Sequence, residues 1–286
     1  MNIVDMRLRP PLPSWLKQTQ FTRGDDYYRK LGYEKPASAG THSIADLLAE
    51  MDRARVQWGV IMGRQSESPL GVIPNDEIAA CIQQFPDRFV GWAGIDLSRP
   101  MEWCLKEIDR CLRLPGFKGI SIEPPISKDP TIRGPDDRRL YPIYAECTKR
   151  EVPLNITLSA QLQSRLGRPY EDSSPLPLYK VAKDFPKLTI HVAHAAWPFV
   201  MEMIGVAFVC PNIWLSPDQY MVKRLPGADE YAKAVNNYFQ DRSVFGTAYP
   251  SRPHDRLIEE YKELGFSGEV YEKVMWKNAL RLMKME

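Results

Sequence analysis

Two arginines stand two residues apart in the first apolar segment of the chain, Ile3-Val4-Asp5-Met6-Arg7-Leu8-Arg9. Side chains alternate in direction along a strand, so Arg9, Arg7 and Asp5 would share one face. A guanidinium keeps its charge at any working pH, and burying it without an anion is costly. The pair therefore predicts a site where fixed positive charge meets an anion. That anion would be an internal carboxylate, such as Asp5 or Glu123, or the carboxylate or phosphate of a substrate, which suits the bidentate geometry of arginine.

Further residues at predicted strand ends could act on such a substrate. His194 suits general acid or base catalysis, because an imidazole titrates near neutral pH; simple packing is its alternative role. Glu123 could serve as a base or pair with an arginine. Thr157 could donate one hydrogen bond, and Tyr249 could line the pocket. We predict that the catalytic residues are His194, Glu123 and Asp5 and that the substrate-binding residues are Arg7, Arg9, Thr157 and Tyr249.

Short apolar segments alternate with helical patterns along the chain, which is typical of βα units and a parallel sheet. The order predicts one domain over residues 1–286, an α/β fold of the (β/α)8 TIM-barrel type. A doubly wound open sheet is the alternative, and the lack of a Gly-x-Gly-x-x-Gly motif after the first segment weakens it. Sites in such barrels lie at the carboxyl ends of the strands. The predicted strands are 3–8, 59–63, 89–95, 119–122, 154–158, 188–194, 213–215 and 244–246.

Two long connections interrupt this pattern. Residues 10 to about 42 are polar and aromatic, and a connection of this length after the first strand predicts a lid; an aromatic segment that is merely packed is the alternative. Residues 160–177 form the second, and its arginines are expected to be solvated, with substrate contact as the alternative. Strand alternation makes a further prediction: if His194 points inward, His191 points outward toward the helices.

Several segments resemble the amidohydrolase-related family, the amidohydrolase-2 branch of the metal-dependent hydrolase superfamily. They include Phe85-Pro86-Asp87-Arg88-Phe89, His194-Ala195-Ala196 and Val244-Phe245-Gly246-Thr247-Ala248-Tyr249-Pro250. The family usually begins with Asp-x-His-x-His and ends with Phe-Gly-Ser-Asp-x-Pro. The resemblance runs nearly from end to end. It implies a TIM barrel that hydrolyses a C–O or C–N bond, or removes a carboxylate, in a small carboxylated substrate.

The resemblance also implies a divalent metal, held by two His on strand one, one His each on strands five and six, and an Asp on strand eight. Only one of these five ligands remains, because the matching residues are Arg7, Arg9, Thr157, His194 and Ala248. Arginine has no lone pair to offer, and its charge repels a cation. We therefore expect no cofactor and no metal ligand. Zinc held by a rearranged set of His194, Glu123 and Asp218 is the alternative.

These features together predict a lactonase-like hydrolase that acts on a small anionic substrate without metal. A decarboxylase of the same family is one alternative, and a non-catalytic paralogue that binds an anion is another. The net charge of +2, from 38 basic and 36 acidic residues, argues against nucleic-acid and membrane partners. Five cysteines without a Cys-x-x-Cys pair, and an N-terminus without a signal sequence, predict a cytoplasmic protein with reduced thiols. A homodimer is one of the expected states of assembly.

Overall fold

The computed structural model describes residues 3–66 and 70–286. Within these residues, seven parallel strands pair in chain order and curl into a barrel, which confirms the predicted TIM-barrel fold. The strands are β1 Ile3–Leu8, β2 Val56–Met62, β3 Phe89–Gly94, β4 Phe117–Ile122, β5 Leu154–Thr157, β6 Ile190–Ala193 and β7 Ile213–Ser216.

Helices connect the strands and form the outer layer. Those of the first half are α1 Pro13–Leu16, α2 Thr19–Thr22, α3 Asp25–Lys30, α4 Ala37–Thr41, α5 Ile44–Arg53, α6 Asn75–Gln84, α7 Met101–Leu112 and α8 Tyr141–Arg150. Those of the second half are α9 Ala160–Ser164, α10 Leu176–Asp184, α11 Val200–Val209, α12 Ala228–Asn237, α13 His254–Glu263, α14 Gly268–Glu272 and α15 Asn278–Leu282. Short 3₁₀ turns cover Pro124–Ile126, Arg138–Leu140, Tyr170–Ser173, His194–Ala196 and Asp218–Tyr220, and a π turn covers Lys273–Lys277.

The predicted eighth strand is replaced by irregular backbone between β7 and β1, which corrects that prediction. Val244 N donates to Leu215 O at 3.0 Å, and Met6 N donates to Phe245 O at 2.9 Å. The segment therefore touches both neighbouring strands. It does not form a ladder, because Phe245 N turns away from β1 and donates to Val274 O, in the π turn, at 2.9 Å. Leu215 N also donates to Arg242 O at 2.8 Å, so the seam is closed by an isolated parallel bridge to β7 and by one backbone hydrogen bond to β1.

An apolar layer covers each face of the barrel sheet, as expected for a parallel sheet that is buried on both faces. One layer packs between the strands and the helices. The other fills the lower part of the barrel interior and is covered by side chains of the C-terminal segment, including Ala279, Leu282 and Met283. The strand residues of this inner layer are Val4, Met6, Val60, Met62, Val90 and Trp92. The charged side chains described below lie in the upper part of the interior, near the carboxyl ends of the strands.

A bulge in β1 decides which of its side chains face the interior. Asp5 pairs with Gly59 and Leu8 pairs with Ile61, so β1 has one more residue than β2 across this interval. Met6 belongs to the inner layer, and the next residue, Arg7, also points inward. Asp5 lies on the outer face. The expectation that Asp5 and Arg7 share a face is wrong, because alternation does not continue through a bulge.

Residues 10–42 form the four short helices α1 to α4 rather than an open loop. Their aromatic residues are buried: Trp15 is 1% exposed, Phe21 3% and Tyr28 0%. The Trp15 ring lies over the guanidinium of Arg9, with 5.5 Å between Arg9 Cζ and the ring centroid. This helical cover, defined as residues 10–42, therefore lies over the carboxyl end of the barrel. Opening and closing of the cover stays a prediction.

Candidate functional site

Glu123 follows β4 and is surrounded by cations and a hydroxyl group. Arg64 donates to it twice, from Nε to Oε2 at 3.0 Å and from Nη2 to Oε1 at 3.0 Å. Arg7 Nη2 lies 3.5 Å from Oε1, and Ser66 Oγ donates to Oε2 at 2.6 Å. Burial would raise the pKa of Glu123, but attraction by Arg64 and Arg7 outweighs burial and lowers the pKa to about 2. Glu123 is therefore an ionised arginine partner, the second of its two predicted roles, and is poorly suited to accept a proton.

Arg64 is the member of this cluster that sequence reasoning missed. It is 1% exposed and follows β2 by two residues, at the same end of the barrel as Arg9. Its guanidinium lies below the Trp15 ring, 6.0 Å from the centroid. The signal was present, since a charged residue just after a buried strand in a barrel points to the site. Its partner, Glu123, is 59 residues away along the chain, and this separation hid the pairing.

His194 and Asp218 form the second buried pair. His194 Nδ1 lies 3.1 Å from Asp218 Oδ2, and the His194 backbone N–H donates to the same oxygen at 3.1 Å. Ser216 Oγ donates to Asp218 Oδ1. Burial would raise the pKa of Asp218, but the contact with His194 and the charge of Arg7 lower it instead. Burial, and then repulsion by Arg7, lowers the pKa of His194 to about 4. The imidazole is therefore neutral at neutral pH and lies beside an ionised carboxylate.

The backbone around this pair is strained. His194, Ala195 and Ala196 have φ values of 64°, 41° and 57°, and Asp218 and Ala248 have 53° and 54°. Left-handed backbone costs a non-glycine residue about 1 kcal/mol or more. These five residues follow β6, β7 and the seam that closes the barrel, at its carboxyl end. Such strain at functional positions indicates that side-chain placement outweighs local backbone preference.

His191 lies inside the barrel, so the prediction that it points outward is wrong. Its Nδ1 is 2.9 Å from Asn155 Oδ1, and its ring meets the inner-layer Trp92 edge to face at 5.4 Å. β6 ends at Ala193, and the left-handed backbone of His194 breaks the alternation on which the prediction rested. Burial lowers the pKa of His191 to about 3, which keeps it neutral.

Arg7 contacts both carboxylates of the interior. Its Nη1 approaches Thr157 Oγ1 at 3.4 Å, its Nη2 lies 3.5 Å from Glu123, and its Nε lies 4.0 Å from Asp218 Oδ2. Burial lowers the pKa of Arg7, and the two carboxylates partly offset this. The structure therefore brings Arg7, Thr157, Glu123 and, through Asp218, His194 together, and their functional roles stay predictions.

Arg9 differs from Arg7 because none of the described carboxylates pairs with it. Its Nη1 donates to two carbonyls, Ala248 O at 2.6 Å and Tyr249 O at 3.2 Å. No carboxylate of the described residues lies within 4.0 Å of Arg9, although it is only 4% exposed. Burial, and then repulsion by Arg7 and Arg64, holds its pKa well below the usual arginine value. In the described interior, the three guanidiniums of Arg7, Arg9 and Arg64 thus face two carboxylates, an excess of one positive charge.

Several buried donors around this excess charge are unsatisfied. Arg64 Nη1, Arg7 Nε and Trp15 Nε1 have no hydrogen-bond partner within the described part of the chain. Buried polar groups without a partner are costly and uncommon, and they require an explanation. The three donors belong to residues that surround Arg9 and Glu123. The excess positive charge and the unsatisfied donors together mark this part of the interior as a candidate anion site.

Asp5 and Tyr249 lie outside this centre. Asp5 accepts from the backbone N–H groups of Arg7 and Thr247, both at 2.9 Å, and lies 3.1 Å from His254 Nε2 at the start of α13. It therefore ties β1 to the barrel seam. The Tyr249 hydroxyl donates to Glu50 at 2.5 Å, and its ring lines a separate cavity of about 940 Å³ between the cover and α13. Only the Tyr249 carbonyl reaches Arg9, which corrects the predicted side-chain role.

The residues at the centre do not fit a divalent cation. Two of the positions that the resemblance assigns to ligands hold guanidinium groups, Arg7 and Arg9. Both oxygens of Glu123 are engaged by Arg64 and Ser66. Among residues 3–66 and 70–286, no group of three or more His, Cys, Asp and Glu side chains is placed to hold a metal ion. The rearranged set of His194, Glu123 and Asp218 is thus not assembled.

Comparisons with known proteins agree with this architecture. Residues 31–284 match the family described as Amidohydrolase (Amidohydro_2). An uncharacterised TIM-barrel protein of Bordetella bronchiseptica is 34% identical, with a TM-score of 0.90 over 100% of this chain and 99% of the other. The 2,6-dihydroxybenzoate decarboxylase of Rhizobium is 18% identical, with a TM-score of 0.73 over 100% and 99%. This last similarity supports the fold alone.

One curated relative is a 2-amino-3-carboxymuconate-6-semialdehyde decarboxylase of Dictyostelium discoideum. It is 25% identical over 261 residues, which cover 81% of this chain and 71% of the relative. No helix in the described ranges has the length and apolar character that are needed to cross a membrane.

Proposed function

Because the chain belongs to the amidohydrolase family, we propose that it is a lactonase-like hydrolase that cleaves a C–O or C–N bond of a small carboxylated substrate without a metal ion. The observation that carries this proposal is the buried His194–Asp218 pair beside Arg7. It combines a neutral base, an anion that orients the base and a fixed positive charge. Hydrolysis of a carbonyl compound needs these three elements.

The substrate carboxylate would bind at Arg9. Arg9 supplies a charge that no carboxylate of residues 3–66 and 70–286 balances, and Arg64 Nη1 and Trp15 Nε1 supply donors that lack partners in the same ranges. Charge-assisted hydrogen bonds of this kind are about twice as strong as neutral ones. The Trp15 ring would give the substrate an apolar wall. An anionic ligand would therefore be favoured over its neutral counterpart.

His194 would act as the general base. Asp218 Oδ2 lies 3.1 Å from Nδ1, although the contact lacks the angle of a hydrogen bond. The ionised Asp218 would favour the tautomer with its proton on Nδ1, which leaves the Nε2 lone pair free. Nε2 takes one proton from water while the water oxygen bonds to the carbonyl carbon, and the carbonyl oxygen becomes an oxyanion. The C–O or C–N bond to the leaving group then breaks. The protonated His194 returns its proton to the leaving oxygen or nitrogen.

Arg7 would stabilise the oxyanion. Its Nε donor has no hydrogen-bond partner among the described residues, and the guanidinium is held in place by Thr157 and Glu123. In related chemistry a metal ion often polarises the carbonyl oxygen. A fixed guanidinium supplies positive charge at the same stage without metal ligands. This is the physical basis for proposing a metal-independent reaction.

Decarboxylation is the second candidate, and the Dictyostelium relative supports it because that relative is named as a decarboxylase. Loss of CO₂ leaves a carbanion that needs a proton from an acid. His194, with its pKa lowered to about 4, holds no proton on Nε2 at neutral pH. The imidazole is therefore in the form that accepts a proton rather than donates one, and we rank hydrolysis first for that reason.

The test is turnover by protein purified with a chelator, against a panel of carboxylated lactones, amides and unsaturated acids. We expect hydrolysis that the chelator does not alter and that His194→Ala reduces by about 10²-fold or more. His42→Ala, at an exposed histidine, is the matched control. Activity that disappears with chelator and returns with zinc would overturn metal independence. Release of CO₂ would establish the decarboxylase, and binding of an acid without any turnover would establish a binding protein.

A further inference from the structure

Three more arginines lie above the proposed catalytic centre. Arg23, Arg165 and Arg252 each have no carboxylate oxygen within 4.0 Å among residues 3–66 and 70–286. Arg252 is only 6% exposed, and the other two are half-buried. By contrast, surface arginines such as Arg139 and Arg150 pair with nearby carboxylates. The three cations are set apart by their closeness to one another, because Arg165 and Arg252 both repel the charge of Arg23.

Shared anchors hold the cluster together. Arg23 Nη1 donates to Ser251 Oγ at 2.9 Å, and Arg252 Nη1 donates to the Ser251 carbonyl at 3.3 Å. Arg165 Nη1 donates to Thr19 Oγ1 at 3.4 Å, and Thr19 begins the helix α2 that ends just before Arg23. The guanidiniums thus converge from the helical cover, from the connection after β5 and from the segment that follows the barrel seam.

The cluster lies next to the centre around His194. Tyr220 forms the link, because its ring meets that of His194 at 5.6 Å. The Tyr220 hydroxyl lies 3.1 Å from Gln161 Oε1, in α9, one turn before Arg165. On the other side, Arg252 Nε donates to the carbonyl of Gln219, the residue before Tyr220, at 3.4 Å.

Arg9 connects to the same cluster through the backbone. It donates to the carbonyls of Ala248 and Tyr249, two to four residues before Ser251 and Arg252. One short segment therefore anchors Arg9 on one side and two members of the cluster on the other. A small molecule that contacts His194 between them would have positive charge at both ends.

Aromatic rings soften the mutual repulsion of these cations but do not neutralise it. The Arg23 guanidinium lies over Tyr27 at 4.0 Å, and that of Arg252 lies over Tyr33 at 5.5 Å. Cation–π contacts of this kind are worth about 0.5–2 kcal/mol. Burial, and also repulsion by Arg165 and Arg252, lowers the pKa of Arg23. An anion bound among the three would remove this repulsion.

We propose that Arg23, Arg165 and Arg252 form a second anion subsite, and that the molecule bound at the centre is a small dianion with one carboxylate at Arg9 and its second anionic group at this cluster. That this dianion is a substrate rests on the proposed hydrolase function, whereas its binding at the two sites does not. The subsite would select molecules that carry two anionic groups over those that carry one.

The experiment compares matched acids by calorimetric titration at low salt. The pairs are glutarate against butyrate and isophthalate against benzoate, so that each pair differs in one carboxylate. We expect at least one diacid to bind about tenfold more tightly or better than its monoacid, because the second group gains charge-assisted hydrogen bonds. Equal affinities within both pairs, or no binding of any diacid at millimolar concentration, would overturn the proposal.

Variants at the arginine cluster test whether the second anionic group of the diacid binds there. In Arg165→Ala combined with Arg252→Ala, the preference for the diacid should disappear while monoacid affinity stays within about twofold of the native value. Arg9→Ala should weaken both acids, and Arg113→Ala, at an exposed surface position, should change neither. If the double variant does not fold, Arg165→Ala alone is the test, since Arg165 is half-buried. Equal weakening of monoacid and diacid by Arg165→Ala would contradict the subsite, whatever the outcome of the turnover assay.

Discussion

Arg64 and Glu123 are joined by two hydrogen bonds of 3.0 Å, Nε to Oε2 and Nη2 to Oε1, although 59 residues separate them in the chain. Their side chains are 1% and 5% exposed. This bidentate pair links the ends of β2 and β4. Arg7 contacts the same carboxylate, so that Glu123 balances positive charge from two arginines.

Removing the charge of Glu123 should therefore be costly. Glu123→Gln keeps the volume of the side chain but leaves Arg64 and Arg7 without this anion. We expect the free energy of unfolding to fall by about 3 kcal/mol or more, measured by urea denaturation at pH 7. Glu102→Gln, which breaks a pair with Lys106 on an exposed helix surface, should change it by less than about 1 kcal/mol. An equal loss of unfolding free energy in the two variants would show that the buried Arg64–Glu123 pair stabilises the protein no more than an exposed pair does.

Asp218→Asn tests the orientation of His194. The amide has no negative charge and can present an N–H group to Nδ1, which favours the wrong tautomer of the imidazole. We expect kcat for the proposed hydrolysis to fall by about 10²–10⁴-fold, with little change in the circular dichroism spectrum. Asp87→Asn, at an exposed position, provides the control. Unchanged kcat in Asp218→Asn would remove this carboxylate from the mechanism.

The buried histidines predict how stability depends on pH. The pKa is lowered from 6.5 to about 4 for His194 and to about 3 for His191, so the unfolded chain binds more protons than the folded chain below about pH 6.5. Stability from these groups is full above that pH and is lost as the pH falls toward 4. Urea denaturation between pH 7.5 and 4.5, in about unit steps, should show this decline.

His194→Gln should make the decline in stability shallower, because one of the two groups is removed. His42→Gln removes an exposed histidine and should leave the slope unchanged. A slope that is the same in native protein and His194→Gln would mean that protonation of His194 is not linked to unfolding. Glu123, with its pKa lowered to about 2, adds a loss of the same sign below about pH 4.5.

Gly246 lies against the catalytic pair, and this makes a substitution there informative. A Cβ atom on Gly246 would lie 2.6 Å from Asp218 Oδ1 and 3.4 Å from Arg7 Cβ. Gly246→Ala should displace the Asp218 carboxylate, lowering kcat by about tenfold or more and stability by about 1–3 kcal/mol. Gly205→Ala is the control: it lies in α11, where a Cβ would meet no described atom within 4 Å. That change should stabilise the protein by about 0.5–1 kcal/mol. Full activity in Gly246→Ala would argue against the position given to Asp218.

Much of the fold follows from local sequence. Seven of the eight predicted strands are present, because short apolar segments between helical patterns have few other ways to bury both faces. Fixed charges at the ends of those segments, such as Arg7 and Arg9, could be assigned to the same end of the barrel for the same reason. The absence of a regular eighth strand could not be predicted in this way. It depends on Phe245 N, which finds its acceptor at Val274 rather than on β1.

The sequence by itself determined the barrel and the location of Arg7, Arg9 and His194 at its carboxyl end. The tertiary structure alone decided which side chains meet. A bulge turns Asp5 away from Arg7. The left-handed backbone at His194 ends the strand alternation, so His191 and His194 do not have to point in opposite directions. The tertiary structure also pairs Glu123 with Arg64, and His194 with Asp218, and leaves Arg9 without a carboxylate partner in the part of the chain that the structure describes. The physical reason is that alternation describes only regular strands, whereas bulges and contacts between distant residues depend on the whole closed barrel.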